Sequence, residues 1–128
     1  MKTGGQQMGP TVLVVDDEAM ARDFIGRALI GEGYHVLLAA DGEAALEVLR
    51  TTKRKVALVI TDLVMPGMGG HAFALEVKKL PSAPPVLYIS AYERPQGEMA
   101  KHFLQKPFSI ADVTQAVARL LPQEARAR

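Results

Sequence analysis

The sequence predicts a doubly wound α/β domain on a five-stranded parallel sheet. Three features carry that prediction: short unbroken apolar runs, segments of helical period between them, and polar residues closing the runs. Val12–Val15 is the first run, ended by Asp16 and Asp17. Val36–Ala39, Val56–Ile60 and Val86–Ile89 repeat it, and Phe103–Leu104 is a shorter fifth. Continuous rather than alternating runs indicate strands covered on both faces, as in parallel sheets. From Glu18 to Ile30, Ala21, Phe24, Ile25, Ala28 and Leu29 share one helical face, with Gly31 and Gly33 as stops. Asp41 is placed to cap a helix carrying Ala44, Ala45, Val48 and Leu49. Phe73, Val77 and Leu80 mark a third helix before Pro81. Ser109 is placed to cap the last, whose Val113, Ala116, Val117, Leu120 and Leu121 face the sheet before Pro122.

Strict alternation with right-handed crossovers puts helices on both faces of the sheet. Five strands suit the flavodoxin-like order 2-1-3-4-5. A dinucleotide-binding fold loses its support because no Gly-x-Gly-x-x-Gly follows the first strand, and no Gly-x-x-x-x-Gly-Lys phosphate loop is present.

Composition narrows the class further. The 128 residues suit one domain, and 48% apolar content supplies a core. Cysteine is absent, which excludes disulfides and thiolate metal sites. No apolar run reaches the roughly 20 residues that span a bilayer, so no membrane insertion is expected. A net charge of +1, with both signs interspersed, argues against direct nucleic-acid binding, and no residues remain after Leu121 for a helix-turn-helix. The expectation is a soluble cytoplasmic domain over residues 11–122. Residues 1–10 read as a disordered leader, in which Thr3–Gly9 resembles a phage-derived expression tag, and 123–128 read as a frayed tail.

In such folds the site lies beyond the carboxyl ends of the strands. There the chain offers Asp16 and Asp17 after the first strand, Asp62 after the third, Ser90 after the fourth and Lys106 after the fifth. Neighbouring first and third strands bring three carboxylates to one crevice, where they cannot all stay ionised without a cation. An all-oxygen cluster suits Mg²⁺. With the lysine and the hydroxyl beside it, the group suits a phosphoryl transfer to a carboxylate. Each residue alone has a plainer reading as a helix cap, a turn residue or a solvated lysine; their joint occurrence at four strand ends is what is specific.

These residues fall in Val14-Val-Asp-Asp-Glu18, Asp62-Leu-Val-Met-Pro-Gly-Met-Gly-Gly70, Ser90-Ala91 and Lys106-Pro-Phe108. With those motifs the chain from Val12 to Leu121 resembles the receiver domain of bacterial two-component response regulators. The resemblance implies that Asp62 accepts a phosphoryl group from a histidine kinase or a histidine phosphotransfer domain, and that a downstream effector protein or fused domain reads the result. It implies that Asp17 and Asp62 ligate Mg²⁺, that Asp16 assists through water, and that the Val64 carbonyl is a further ligand. Ser90 and Lys106 would hold phosphoryl oxygens, and the Lys106–Pro107 peptide would be cis.

The resemblance also implies a switch that couples Ser90 to the aromatic at Phe103, here without a hydroxyl and so working through burial alone. Only 16 positions separate Ser90 from Lys106, and Pro95 and Gly97 lie between them, so the helix between the fourth and fifth strands is expected to be short, irregular or missing. That shortening, with Phe103-Leu-Gln-Lys-Pro-Phe108, resembles the receivers of hybrid sensor histidine kinases. Val64 and Tyr92 occupy the positions that tune phosphoryl lifetime in the family. Neither suits aiming a water at phosphorus, so slow dephosphorylation is expected. His35, His71 and His102 show no metal spacing. Two other functions compete: an unphosphorylated pseudo-receiver scaffold, and an aspartyl-phosphate phosphohydrolase. The second would place an acid where Val64 stands and needs a cap domain. The chain is read as a phosphoacceptor rather than an enzyme.

Overall fold

Side-chain alternation along the central strand sets the architecture. In the computed structural model, which describes residues 9–92 and 94–121, β1 (Thr11–Val15) is buried throughout and sends its residues alternately to two cores. Val12 and Val14 join Ile25, Leu29, Val113 and Val117 on one face of the sheet, while Leu13 and Val15 join Ala45, Leu46, Phe73 and Val77 on the other. That is the period-two geometry of a strand covered on both sides.

The remaining elements alternate helix and strand except between β4 and β5: α1 (Ala19–Gly31), β2 (His35–Ala39), α2 (Gly42–Thr51), β3 (Val56–Asp62), α3 (Gly70–Lys78), β4 (Val86–Ser90), β5 (Phe103–Gln105) and α4 (Ile110–Leu120). The sheet is parallel throughout, in the order β2-β1-β3-β4-β5, as the sequence predicts. The start signals also hold. The Asp41 carboxylate accepts from the Ala44 N–H at 2.8 Å. Ser109 and Asp112 cap α4 reciprocally, each bond 3.0 Å.

Three details refine the reading. Although β2 is an apolar run, it is an edge strand, and Leu38 is half exposed. Helix α3 stops at Lys78, so Leu80 lies beyond it. Pairing begins before Thr11: the Gly9 N–H donates to the Gly33 carbonyl, and the His35 N–H donates to the Pro10 carbonyl. The rest of the leader, residues 1–8, lies outside the described residues, as do Pro122 and the tail.

Between β4 and β5 the expected irregularity is present. A 3-10 turn (Gly97–His102) with no buried residue stands where a crossover helix would pack. Gly97 takes φ +69°, which glycine adopts without strain. Among the described residues, no helix is long and apolar enough to cross a membrane.

Candidate functional site

The carboxyl ends of β1 and β3 lie side by side because those strands are neighbours, paired Val15 to Thr61. Asp16, immediately after β1, is fully buried, and its backbone N–H donates to the Ala39 carbonyl at 3.2 Å. Its Oδ1 accepts from the Glu18 N–H at 2.9 Å, its Oδ2 from Lys106 Nζ at 2.9 Å, and its carbonyl from the Arg22 guanidinium at 2.8 Å. Asp62 closes β3. Its Oδ1 accepts from the Val64 N–H at 3.1 Å and its Oδ2 from Lys106 Nζ at 2.9 Å. Asp17 is exposed at the rim, yet an oxygen from each of Asp16, Asp17 and Asp62 falls within 4.8 Å of the others.

One ammonium therefore bridges two of three converging carboxylates, and Glu18 adds a fourth acid 3.9 Å from Lys106 Nζ. The electrostatics follow from burial. Desolvation pushes the Asp16 carboxyl above its ordinary value, against the Glu18 N–H and Lys106, which hold it down, while Asp62 pushes it further up. Burial works against charge on Lys106 too, but its hydrogen bonds to Asp62 and Asp16 outweigh that and hold it above the usual lysine value. The cluster is short of positive charge. Three hard oxygen ligands within one ion's reach fit a small divalent cation that keeps part of its water shell.

The opposite wall comes from β4 and β5. Ser90, the last residue of β4, is buried, and its Oγ accepts from the Tyr92 N–H at 3.1 Å. The Lys106 N–H donates to the Ser90 carbonyl at 3.0 Å, so the two chain ends that bracket the 3-10 turn are tied together beside the carboxylates. The Lys106–Pro107 peptide is cis. Phe103 is half-buried, and the Arg94 guanidinium lies 5.5 Å from its ring centroid. Val64 and Tyr92 are exposed.

Spacing in the sequence brings Asp16, Asp17, Asp62 and Lys106 into one cluster, with Ser90 at the next strand end. It gave no sign of Arg22, whose bond to the Asp16 carbonyl depends on the path of α1, nor of Arg94. Gly70 ends the motif that begins at Asp62, but its packing role has no sign in the sequence. A Cβ there would lie 2.3 Å from the Asp62 carbonyl oxygen and 2.8 Å from the Leu63 Cα, so α3 starts against the backbone of Asp62 itself.

The sequence profile of the response regulator receiver domain matches residues 12–118. Sporulation initiation phosphotransferase F of Bacillus subtilis is 31% identical over 122 residues, which are 90% of this chain and 96% of that protein. Sensor kinase CckA of Brucella abortus is 33% identical over 89% of this chain but only 13% of its own length. The uncharacterized transcriptional regulatory protein YbdJ of Bacillus subtilis is 31% identical over 88% of this chain and 51% of itself. The chain thus spans about half of that regulator and a small part of that kinase. Among solved structures, the receiver domain of the hybrid histidine kinase CckA superposes with a TM-score of 0.77 at 34% identity, covering 88% of this chain and 99% of that one. The chemotaxis response regulator CheY4 of Vibrio cholerae gives 0.78 at 28% identity, covering 89% and 100%.

Proposed function

The chain belongs to the response regulator receiver domain family, and from that premise we propose that Asp62 is the phosphoacceptor of a two-component relay, loaded by a histidine kinase or a histidine phosphotransfer domain. The single observation that carries this reading is the Lys106 ammonium, 2.9 Å from both Asp16 and Asp62 at the mouth of the carboxylate cluster.

The step follows from the positions of the residues. An Asp62 carboxylate oxygen attacks phosphorus in line, the new O–P bond forms as the N–P bond of a phosphohistidine breaks, and the imidazole leaves with the bonding pair. The Val64 N–H fixes the plane of the carboxylate through Oδ1. Lys106, which holds Oδ2 at rest, is within reach of the incoming phosphoryl oxygens and pairs with their charge. Ser90 supplies a hydroxyl donor at the next strand end. Asp16, Asp17, Asp62 and the Val64 carbonyl are the residues that would hold Mg²⁺, which when bound supplies charge neutralisation between the carboxylates and the phosphoryl oxygens. Exposed Met20 and Ile110, on the first turns of α1 and α4, and Phe24, one turn further along α1, offer apolar surface for a donor domain. The effector that reads the phosphorylated state is a separate protein or a domain of a longer chain.

Phosphoryl lifetime should be long. Val64 has no polar group, and Tyr92 has only a phenol, with which to aim a water at phosphorus. Val64→Asn, which adds an amide able to orient a water but not to take its proton, should shorten the half-life by about tenfold, less than the roughly hundredfold low end for a positioned proton-transfer group. Tyr92→Ala should shorten it by removing the bulky ring, and decay of the phosphorylated mass checks both.

The test of the function is the intact mass of the full chain after incubation with acetyl phosphate, with and without Mg²⁺. A single Mg²⁺-dependent phosphoryl adduct that is missing from Asp62→Asn supports the reading. No adduct in the wild type, together with no binding of a stable acyl-phosphate mimic, would leave a protein-binding scaffold instead.

A further inference from the structure

The end of the sheet opposite the carboxylates has the reverse character. From Val48 to Thr61 the chain has no acidic residue, but it carries Arg50, Lys53, Arg54 and Lys55 where α2 runs into β3. The turn after α3 comes alongside, and between the two lies a cavity of about 370 Å³. Its walls present the cations Arg50, Arg54 and Lys55 and the hydroxyl-bearing Thr52 and Ser82, over an apolar floor that includes Leu80. None of the three cations is in an ion pair among the described residues.

Two further observations point to a ligand rather than to a solvated charged rim. Ser82 sits at φ +56°, and it is the only residue other than glycine in that region among the described residues. Such conformations cost about 1–3 kcal/mol and cluster at binding sites. His35 reports the local potential: burial first, and then the charge of Arg54, hold its imidazole below the ordinary 6.5. Among the described residues no acidic side chain lines the cavity, so its three cations are not neutralised within it.

We propose that this cavity is a second, ligand-binding site that takes a phosphate ester of nucleotide size. The guanidiniums of Arg50 and Arg54 suit the forked hydrogen bonding of a phosphate, Lys55 adds a point charge, and the hydroxyls add donors. The apolar floor accommodates a flat organic body. The volume lies at the low end of the range for small-molecule sites, which run from about 300 to 1,000 Å³. An acidic protein segment would satisfy the charges but would leave the apolar lining of Leu49, Val56 and Leu80 unused, so the phosphate ester is favoured. The site is independent of the phosphoacceptor reading and stands or falls without it.

The experiment is a titration of the full chain followed by ¹H–¹⁵N NMR, in EDTA so that the carboxylate cluster takes no metal, with AMP as the probe. Inorganic phosphate, adenosine and a hexaglutamate peptide are titrated in parallel. AMP should saturate, moving amides in 49–56 and 80–84 and leaving 16–17 and 62–64 in place. Phosphate should bind at the same amides about tenfold more weakly, and adenosine should not saturate below about 10 mM. Arg50→Ala and Arg54→Ala, both at exposed positions, should each weaken AMP about tenfold with the spectrum otherwise unchanged, since a charge-assisted hydrogen bond is lost in each. The proposal is overturned if AMP does not saturate by about 10 mM, if its shifts lie at the carboxylate end, or if both arginine variants bind it like the wild type. Tighter binding of hexaglutamate than of AMP at the same amides also overturns it, and would assign the basic end to an acidic protein partner.

Discussion

The two sides of the candidate site are built to different standards. On the β1–β3 side, Asp16 and Asp62 end strands whose apolar residues are almost all buried and that are flanked by α1, α2 and α3. On the β4–β5 side, Ser90 and Lys106 bracket a 3-10 turn without a buried residue, and β5 pairs with β4 over only three positions. The carboxylates are thus fixed to the central strands of the sheet, while Lys106 follows its three-residue edge strand and Ser90 ends the buried strand beside it. The difference teaches where a change of charge at Asp62 can be absorbed. A close-packed core resists displacement, whereas a segment with few buried contacts opens at low cost.

The contrast can be broken most severely on the stiff side. Gly70→Ala places a methyl group against the Asp62 carbonyl and Leu63 Cα, and neither backbone can yield without moving the acceptor. It should lower stability by about 3 kcal/mol, the upper end for overpacking. Thermal unfolding should show a fall of more than about 10 °C.

Next comes the seam between the sides. In Lys106→Met the aliphatic stem is kept and the ammonium removed, leaving Asp16 and Asp62 without their shared cation. Stability in EDTA should drop by about 2 kcal/mol, in the range for a lost charge-assisted bond. Mg²⁺ should then raise the melting temperature more in the variant than in the wild type, because more uncompensated negative charge awaits it.

On the thin side the effects shrink. Met99, in the 3-10 turn and only partly buried, should cost under about 1 kcal/mol on truncation to alanine. Ile25→Ala in the core should cost about 3 kcal/mol, and paired denaturant curves would sharpen the comparison directly. A large effect at Met99 would show that the edge is better packed than its burial indicates.

The smallest effect concerns His35 at the start of β2. Because folding holds its pKa below 6.5, the unfolded chain binds more protons there in mildly acidic solution. Its contribution to stability is therefore present near neutrality and is lost as pH falls below 6.5. Arg54→Ala should move the His35 titration part of the way back up, since burial is the larger cause; an NMR titration of the imidazole measures it.

Much of this was legible in the residues because it depends on local pattern. Unbroken apolar runs located all five strands, Asp41 and Ser109 announced the two capped helices, and Pro95 with Gly97 in a span of 16 positions gave away the missing crossover helix. The site was legible for a related reason. In a doubly wound sheet the residue after each strand is delivered to one crevice, so strand ends alone collect Asp16, Asp62, Ser90 and Lys106. What could not be read depends on approach in three dimensions. The bond from Arg22 to the Asp16 carbonyl, the fit of Gly70 against Asp62, Arg94 over Phe103 and the unpaired cations around the cavity at the far end have no periodic signature. Leu38 shows the converse failure. Its run reads as fully covered, but β2 is an edge, and edge position is a property of the whole sheet.

The central claim is that the acceptor side stays fixed while the β4–β5 side responds. Amide hydrogen exchange of the full chain, with and without Mg²⁺ and a stable acyl-phosphate mimic, tests it most directly. The account predicts altered protection between Ser90 and Lys106 with β1 and β3 unchanged. Altered protection in β1 and β3, with the segment between Ser90 and Lys106 left as it was, would contradict it.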